Sequence, residues 1–216
     1  MNREGQSVRA GFEQRADERR GGVRALALML VALAVAGCGG GSAATTAIYD
    51  LTATATEAGT GRARAGVQIL VPEPRALQAL NTNSIAVKPS AQTISYYGRV
   101  QWADRLPRVL QTRIVQSFED TGRVHAVGFP GEGLLINYQL PIEIRNFQLE
   151  SGGAPTAVIE IAAKILDDRN GRVVASRVFR AEARSSGDGV DSAVAAMDVA
   201  LKQVLDDLIR WVVAEI

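Results

Sequence analysis

Two runs of alternating residues, Thr156 to Leu166 and Arg172 to Ala183, flank the segment Asp167-Asp168-Arg169-Asn170-Gly171. Alternation places successive side chains on opposite faces of a strand. Asn-Gly between two such runs is the strongest short signal for an antiparallel hairpin. An amphipathic helix follows, from about Val190 to Ala214. Val194, Met197, Leu201, Val204, Leu205, Leu208 and Val212 recur at intervals of three and four, which is the period of one helix face. Asp191, Asp198, Lys202, Asp206 and Arg210 lie largely away from that face. Asp191, at the start, suits the helix dipole.

The chain before the hairpin divides by the same two periods. Ile48-Tyr49-Asp50-Leu51 alternates and reads as a first strand, while Thr52 to Gly66 is small, polar and Gly-punctuated and reads as a loop. Val67 to Val71 is a strand stopped by Pro72 and Pro74. Arg75 to Leu80 suits a short helical turn with Ala76, Leu77 and Leu80 on one side. Ser84 to Lys88 and Gln92 to Arg99 are extended. From Trp102 the period changes to that of a helix carrying Leu106, Val109, Leu110, Ile114 and Phe118, with Asp104 near its start and Gly122 just past its end. Pro107 falls in the first turn, where a missing N–H costs little. Leu134 to Glu150 switches parity near Pro141, as two strands or one bulged strand would. The expected architecture is an α/β layered domain: a mixed, largely antiparallel sheet packed against two long amphipathic helices.

The N-terminal region has a different character. Arg19, Arg20 and Arg24 precede an apolar run from Ala25 to Ala36, followed by Gly37 and Cys38, the single cysteine of the chain. A basic stretch, a short apolar stretch and terminal small residues are the parts of a secretory signal peptide. The run is well short of the roughly 20 residues needed to cross a bilayer. Val35-Ala36-Gly37-Cys38 resembles the lipobox of bacterial lipoproteins. The resemblance implies residues 1–37 as signal peptide, cleavage between Gly37 and Cys38, and a diacylglyceryl group on the Cys38 thiol. Residues 38–47 (Gly-, Ser-, Ala- and Thr-rich) form a flexible tether with a reach of roughly 15–18 Å. Residues 48–216 form the folded domain. Gly39, rather than Asp, at the second mature position resembles the pattern of lipoproteins exported to the outer membrane.

Cleavage leaves 179 of the 216 residues, enough for one domain of ordinary size. Six of the 24 basic and four of the 23 acidic residues lie in 1–37, leaving 18 and 19. A balance near −1 gives no support for nucleic-acid binding. Acylation of the one cysteine rules out a disulfide, so stability must come from the core.

Residue chemistry gives little support for an enzyme. His125 has no second ligand nearby, and neither a nucleophile elbow, a Walker loop nor a dinucleotide fingerprint is present. Asp167-Asp168 sits at a hairpin tip and Asp206-Asp207 on a solvated helix face, neither beside a base. No metal site or cofactor is expected. The aromatics are few, which draws attention to Tyr96, Tyr97, Trp102 and Trp211. Either they pack between sheet and helix or they form partner contacts, where Trp and Tyr supply much of the binding energy. Trp211 is the candidate expected to point outward, because Leu208 and Val212 already occupy the apolar face; Trp102 and Tyr97 are the other two candidates. The Phe129-Pro130-Gly131-Glu132-Gly133 loop leaves Phe129 open to either role.

Taken in order, these pieces resemble the ABC-type transport auxiliary lipoproteins. The lipobox is followed by Tyr49-Asp50-Leu51, a strand ending in proline, and an alternating strand. Ile94-Ser95-Tyr96-Tyr97 then leads into Gln101-Trp102-Ala103-Asp104-Arg105-Leu106-Pro107. Trp-Ala-Asp-x-Leu-Pro opening a helix is the most specific segment. Ile142 to Phe147, the Asn-Gly hairpin, Phe179 and the closing helix complete the pattern over residues 38–216. The resemblance implies a periplasm-facing domain anchored to the outer membrane through Cys38. It implies work beside an ABC permease and ATPase and a mammalian-cell-entry (MCE) protein, in systems that move phospholipids or other hydrophobic molecules. The implied role is non-catalytic, and self-assembly of the chain is left open. Two other readings compete: a lipoprotein that itself binds a small hydrophobic ligand, and a component of another envelope assembly or secretion machine.

Overall fold

The computed structural model describes residues 45–55 and 64–216. The signal peptide, Gly37, Cys38 and most of the tether lie outside the described residues, as does the centre of the Thr52–Gly66 segment. The elements are β1 (Ala47–Tyr49), β2 (Arg64–Leu70), β3 (Arg75–Ala76), β4 (Ala86–Ser90), β5 (Thr93–Tyr96), β6 (Val100–Trp102), α1 (Leu106–Thr121), β7 (Val124–Gly128), β8 (Tyr138–Gln139), β9 (Ile142–Glu150), β10 (Thr156–Asp167), β11 (Val173–Arg184) and α2 (Val190–Glu215).

The hairpin is the spine of the sheet. Thr156 pairs with Arg184 and the ladder runs antiparallel to Leu166 and Val173, with an irregularity beyond Ile165. Its tip is wider than the Asn-Gly pair alone would make it. The Asp167 N–H donates to the Arg172 carbonyl at 2.9 Å and the Gly171 N–H to the Asp167 carbonyl at 2.8 Å. Gly171 sits at φ +69°, and Asn170 keeps an ordinary negative φ. A two-residue type I′ turn needs both central residues at positive φ, so the loop closes around four residues with glycine supplying the one left-handed position.

On its other edge β10 carries β9 and then β8, both antiparallel. Pro141 separates those two strands, and a register shift opposite Glu160 and Ile161 skips Arg145. The parity switch in the sequence therefore corresponds to two strands, the second of them bulged. From β8 the sheet continues to β2 and β7, and from β9 to β4, β5 and β3. β1 and β6 form a separate two-stranded parallel pair. The sheet is mixed as expected, but the antiparallel character is concentrated in its centre. Among the described residues five of the nine strand pairings are parallel.

The two helices differ in length: α2 has 26 residues and α1 has 16. One helix is long; the expectation of two long helices is corrected to one long and one of ordinary length. Pro107 lies in the first turn of α1, and Gly122 ends it at φ +57°, its N–H donating to the Phe118 and Glu119 carbonyls. That left-handed position suits a residue without Cβ. Asp104 accepts the Arg105 N–H at 2.6 Å rather than capping the helix interior.

One core joins these layers, with Phe147, Ile159, Ile161, Leu110, Phe118, Leu201 and Leu205 all buried. Three local readings change. Arg75–Ala76 pairs in parallel with β9 instead of forming a helical turn, and Leu77 is exposed while Leu80 is buried. β4 runs through Pro89 to Ser90, past the extended span expected to close at Lys88. Ala53 and Ala55, at the start of the polar loop segment, are buried in the core, as is Leu51 just before it.

Candidate functional site

The functionally suggestive region begins where the chain enters the domain. The Ala47 N–H donates to the Arg99 carbonyl at 3.0 Å, and the Ala103 N–H to the Tyr49 carbonyl at 2.8 Å, fixing β1 beside β6. Side chains of both helices then grip the segment that follows. The Tyr49 hydroxyl donates to Asp191 Oδ1 at 2.5 Å. That carboxylate pushes the Tyr49 phenol above its ordinary value, first by holding the hydroxyl proton, with desolvation and the Asp191 charge adding to it.

Asp198, two turns further along α2, accepts the Thr52 N–H at 3.0 Å, the Thr52 hydroxyl at 2.5 Å and the Ala53 N–H at 3.2 Å. From α1, Arg113 pairs with Asp50 at 2.6 Å, and the Ser117 hydroxyl accepts the Ala55 N–H at 2.9 Å. Extended backbone with no neighbouring strand must find other partners when it is buried. Here helix side chains supply them. The arrangement is a clamp: side chains of both helices hold residues 49–55 against the domain. The helix period places Asp191 and Asp198 away from the apolar face and assigns Asp198 no partner. Their spacing of seven, which aligns them on one side of a helix, was the available signal.

The three candidate contact residues are not brought together on a surface. Trp102 is buried and meets Phe147 edge-on at 6.1 Å. Trp211 is 7% exposed and stands against Phe179 at 5.5 Å, with the Arg177 guanidinium on that same ring. The outward pose expected of Trp211 is therefore overturned. Ile209, Trp211, Val212 and Val213 are all buried, so the last turns of α2 are covered over a wider arc than the stripe along its middle. Tyr97 is half-buried, and its hydroxyl donates to the Asp188 carbonyl at 2.6 Å. Burial, with the Asp188 charge second, pushes its phenol up. Phe129 packs partly into the core under a loop closed by Glu132, which accepts the Phe129 N–H at 2.9 Å.

Several of the charged side chains are paired with neighbours. Asp167 is held by Arg169, and Asp168 accepts from Gln139 at 2.6 Å. Lys202 pairs with Asp206, and Arg210 with Asp207. His125 is exposed on β7. Among the described residues no group of three or more His, Cys, Asp or Glu could hold a metal ion. A cavity of about 370 Å³ lies at the end of the sheet, lined by Lys88, Ser90, Glu150, Thr156 and Glu182 together with alanines and glycines.

Residues 49–208 match the family described as ABC-type transport auxiliary lipoprotein component. The chain belongs to that family. The matched span opens at the clamp residue Tyr49 and takes in Asp191 and Asp198. A solved structure, protein XCC0632 from Xanthomonas campestris, is 31% identical with a TM-score of 0.72, covering 78% of this chain and 95% of that one. A second solved structure, of an uncharacterized protein, shares the fold at 18% identity and a TM-score of 0.61, over 78% and 99% of the two chains. The uncharacterized protein bll6063 of Bradyrhizobium diazoefficiens is 32% identical over 145 residues, which is 67% of this chain and 39% of that relative. The chain thus spans well under half the length of the curated relative it matches.

Proposed function

We propose that this family member is cleaved behind Gly37, acylated at Cys38 and held at the periplasmic face of the outer membrane. It serves there as a non-catalytic accessory component of an MCE-type ABC transport system that carries phospholipid or other hydrophobic molecules between the membranes. Family membership carries this reading, and Leu33 to Cys38 supplies a lipidation site upstream of the matched span. The clamp gives the tether a physical role. A diacyl anchor exerts its load through the chain between Cys38 and Thr45, and Asp191, Asp198 and Arg113 pass that load to the helices instead of to one exposed strand. The domain would then stay folded while its partner is engaged.

The test is co-purification of the tagged full-length protein from detergent-solubilised envelopes with the MCE-family protein and permease encoded in the same organism. Recovery of both supports the proposal. Recovery of components of a secretion or lipopolysaccharide-assembly machine in their place overturns it.

A further inference from the structure

The outer edge of β11 is unoccupied among the described residues, and its backbone geometry is fixed by its neighbours. The Lys164 N–H of β10 donates to the Pro141 carbonyl on the β9–β8 side. Residues of β10 with that parity therefore face β9, and those of the other parity bond to β11. The bonded pairs are then Ala163 with Arg177, Ile161 with Phe179 and Ile159 with Ala181. It follows that the N–H and C=O groups of Ser176, Val178, Arg180 and Glu182 point away from the sheet, along an edge that no other strand covers. An edge of this length is a template for a further strand.

The side chains restrict what could pair there. Val173, Val174 and Val178 are 54%, 45% and 47% exposed, large apolar groups on a strand that elsewhere buries Phe179 and Ala181. Arg180 is neutralised by Glu160 at 3.0 Å and Glu182 at 2.6 Å. Arg172 and Arg177 flank the valines with no carboxylate partner among the described residues, and Arg177 lies over the Phe179 ring. A second copy of β11 would set two strands of net positive charge side by side, because Arg172 to Arg184 holds four arginines and one glutamate. Like charges across a strand pair are destabilising.

We propose that the edge of β11 from Val173 to Arg180 is a strand-addition site for an extended segment of a partner protein in which acidic and β-branched residues alternate. Backbone bonds to Ser176 and Val178 hold the incoming strand, the valines pack its apolar side chains, and Arg172 and Arg177 select its carboxylates. This surface is distinct from the tether clamp, and the inference does not depend on which transport system the protein serves.

The probe is a short synthetic peptide of alternating Glu and Val, with a Lys-Val peptide as control. Binding to the isotope-labelled full-length protein in detergent is followed by amide shifts. The Glu-Val peptide should shift the Ser176, Val178 and Arg180 amides and bind at least about tenfold more tightly than the control, losing affinity with added salt. Val178→Pro removes an outward donor without breaking a ladder bond, a position where proline is tolerated, and should abolish binding. The double variant Arg172→Glu, Arg177→Glu should reverse the peptide preference, and it decides the matter if the proline variant does not fold. Equal binding of both peptides, shifts away from β11, or no binding overturns the proposal. So does a dimer of the unmodified protein that Val178→Pro dissociates, since the occupant is then a second copy.

Discussion

Replacing Trp211 by alanine separates a core role from a contact role. A tryptophan buries up to about 250 Å², and at 7% exposure nearly all of that is withdrawn from water. At about 25 cal/mol per Å² the transfer contribution is at most ~6 kcal/mol. Alanine keeps part of it, and measured Trp→Ala losses run at about 3–5 kcal/mol. The edge-on contact with Phe179 at 5.5 Å is included in that loss and contributes about 0.5–1.5 kcal/mol of its own. Trp211 sits near the end of α2, where the helix can relax toward the gap, so the lower part of the range applies. We expect ~3–4 kcal/mol, or a fall in Tm of about 6–15 °C. Urea unfolding followed by far-UV circular dichroism measures it, with the slope unchanged if the unfolded state is unaltered. Phe179→Leu and the double variant complete a cycle whose coupling should equal the ring-pair contribution. Val199→Ala, at an exposed position on the same helix, should change stability by less than about 0.5 kcal/mol. A Trp211→Ala protein as stable as its parent would refute the packing described here and return Trp211 to the surface.

Asp198→Ala removes the acceptor of the Thr52 and Ala53 donors and should cost about 1.5–3 kcal/mol, with fast amide exchange confined to residues 50–55; uniform loss of protection would rule out a local clamp. Cys38→Ser should leave the domain folded and move the protein from the membrane to the soluble fraction, because stable anchoring takes at least two acyl chains; persistent membrane association after a high-salt wash would contradict a single lipid anchor. Asp167, held by Arg169, has its carboxyl below the ordinary range. A depressed folded value means its contribution is present above the unfolded value and lost as pH falls through the folded one. Acid should therefore raise exchange at the Gly171 amide, which donates to the Asp167 carbonyl, and Asp167→Asn should flatten that dependence.

The sequence alone determined what depends on near neighbours. The hairpin around Asn170-Gly171, α2 from Val190, α1 between Pro107 and Gly122, and the break at Pro141 all follow from side-chain period and turn chemistry within a few residues. Even the burial of Trp211 left a trace, since Leu208-Ile209-Arg210-Trp211-Val212-Val213 is apolar almost all round, as a helix covered on several sides must be. Tertiary structure decided what depends on a distant partner. The seven-residue spacing of Asp191 and Asp198 placed them on one side of α2, but only the return of residues 49–53 across that side made them acceptors. Arg75–Ala76 has no strand period of its own and is extended because β9 offers it a parallel edge. The five parallel pairings could not be read locally, since parallel neighbours are joined by long connections whose course is set by how the whole sheet covers its core.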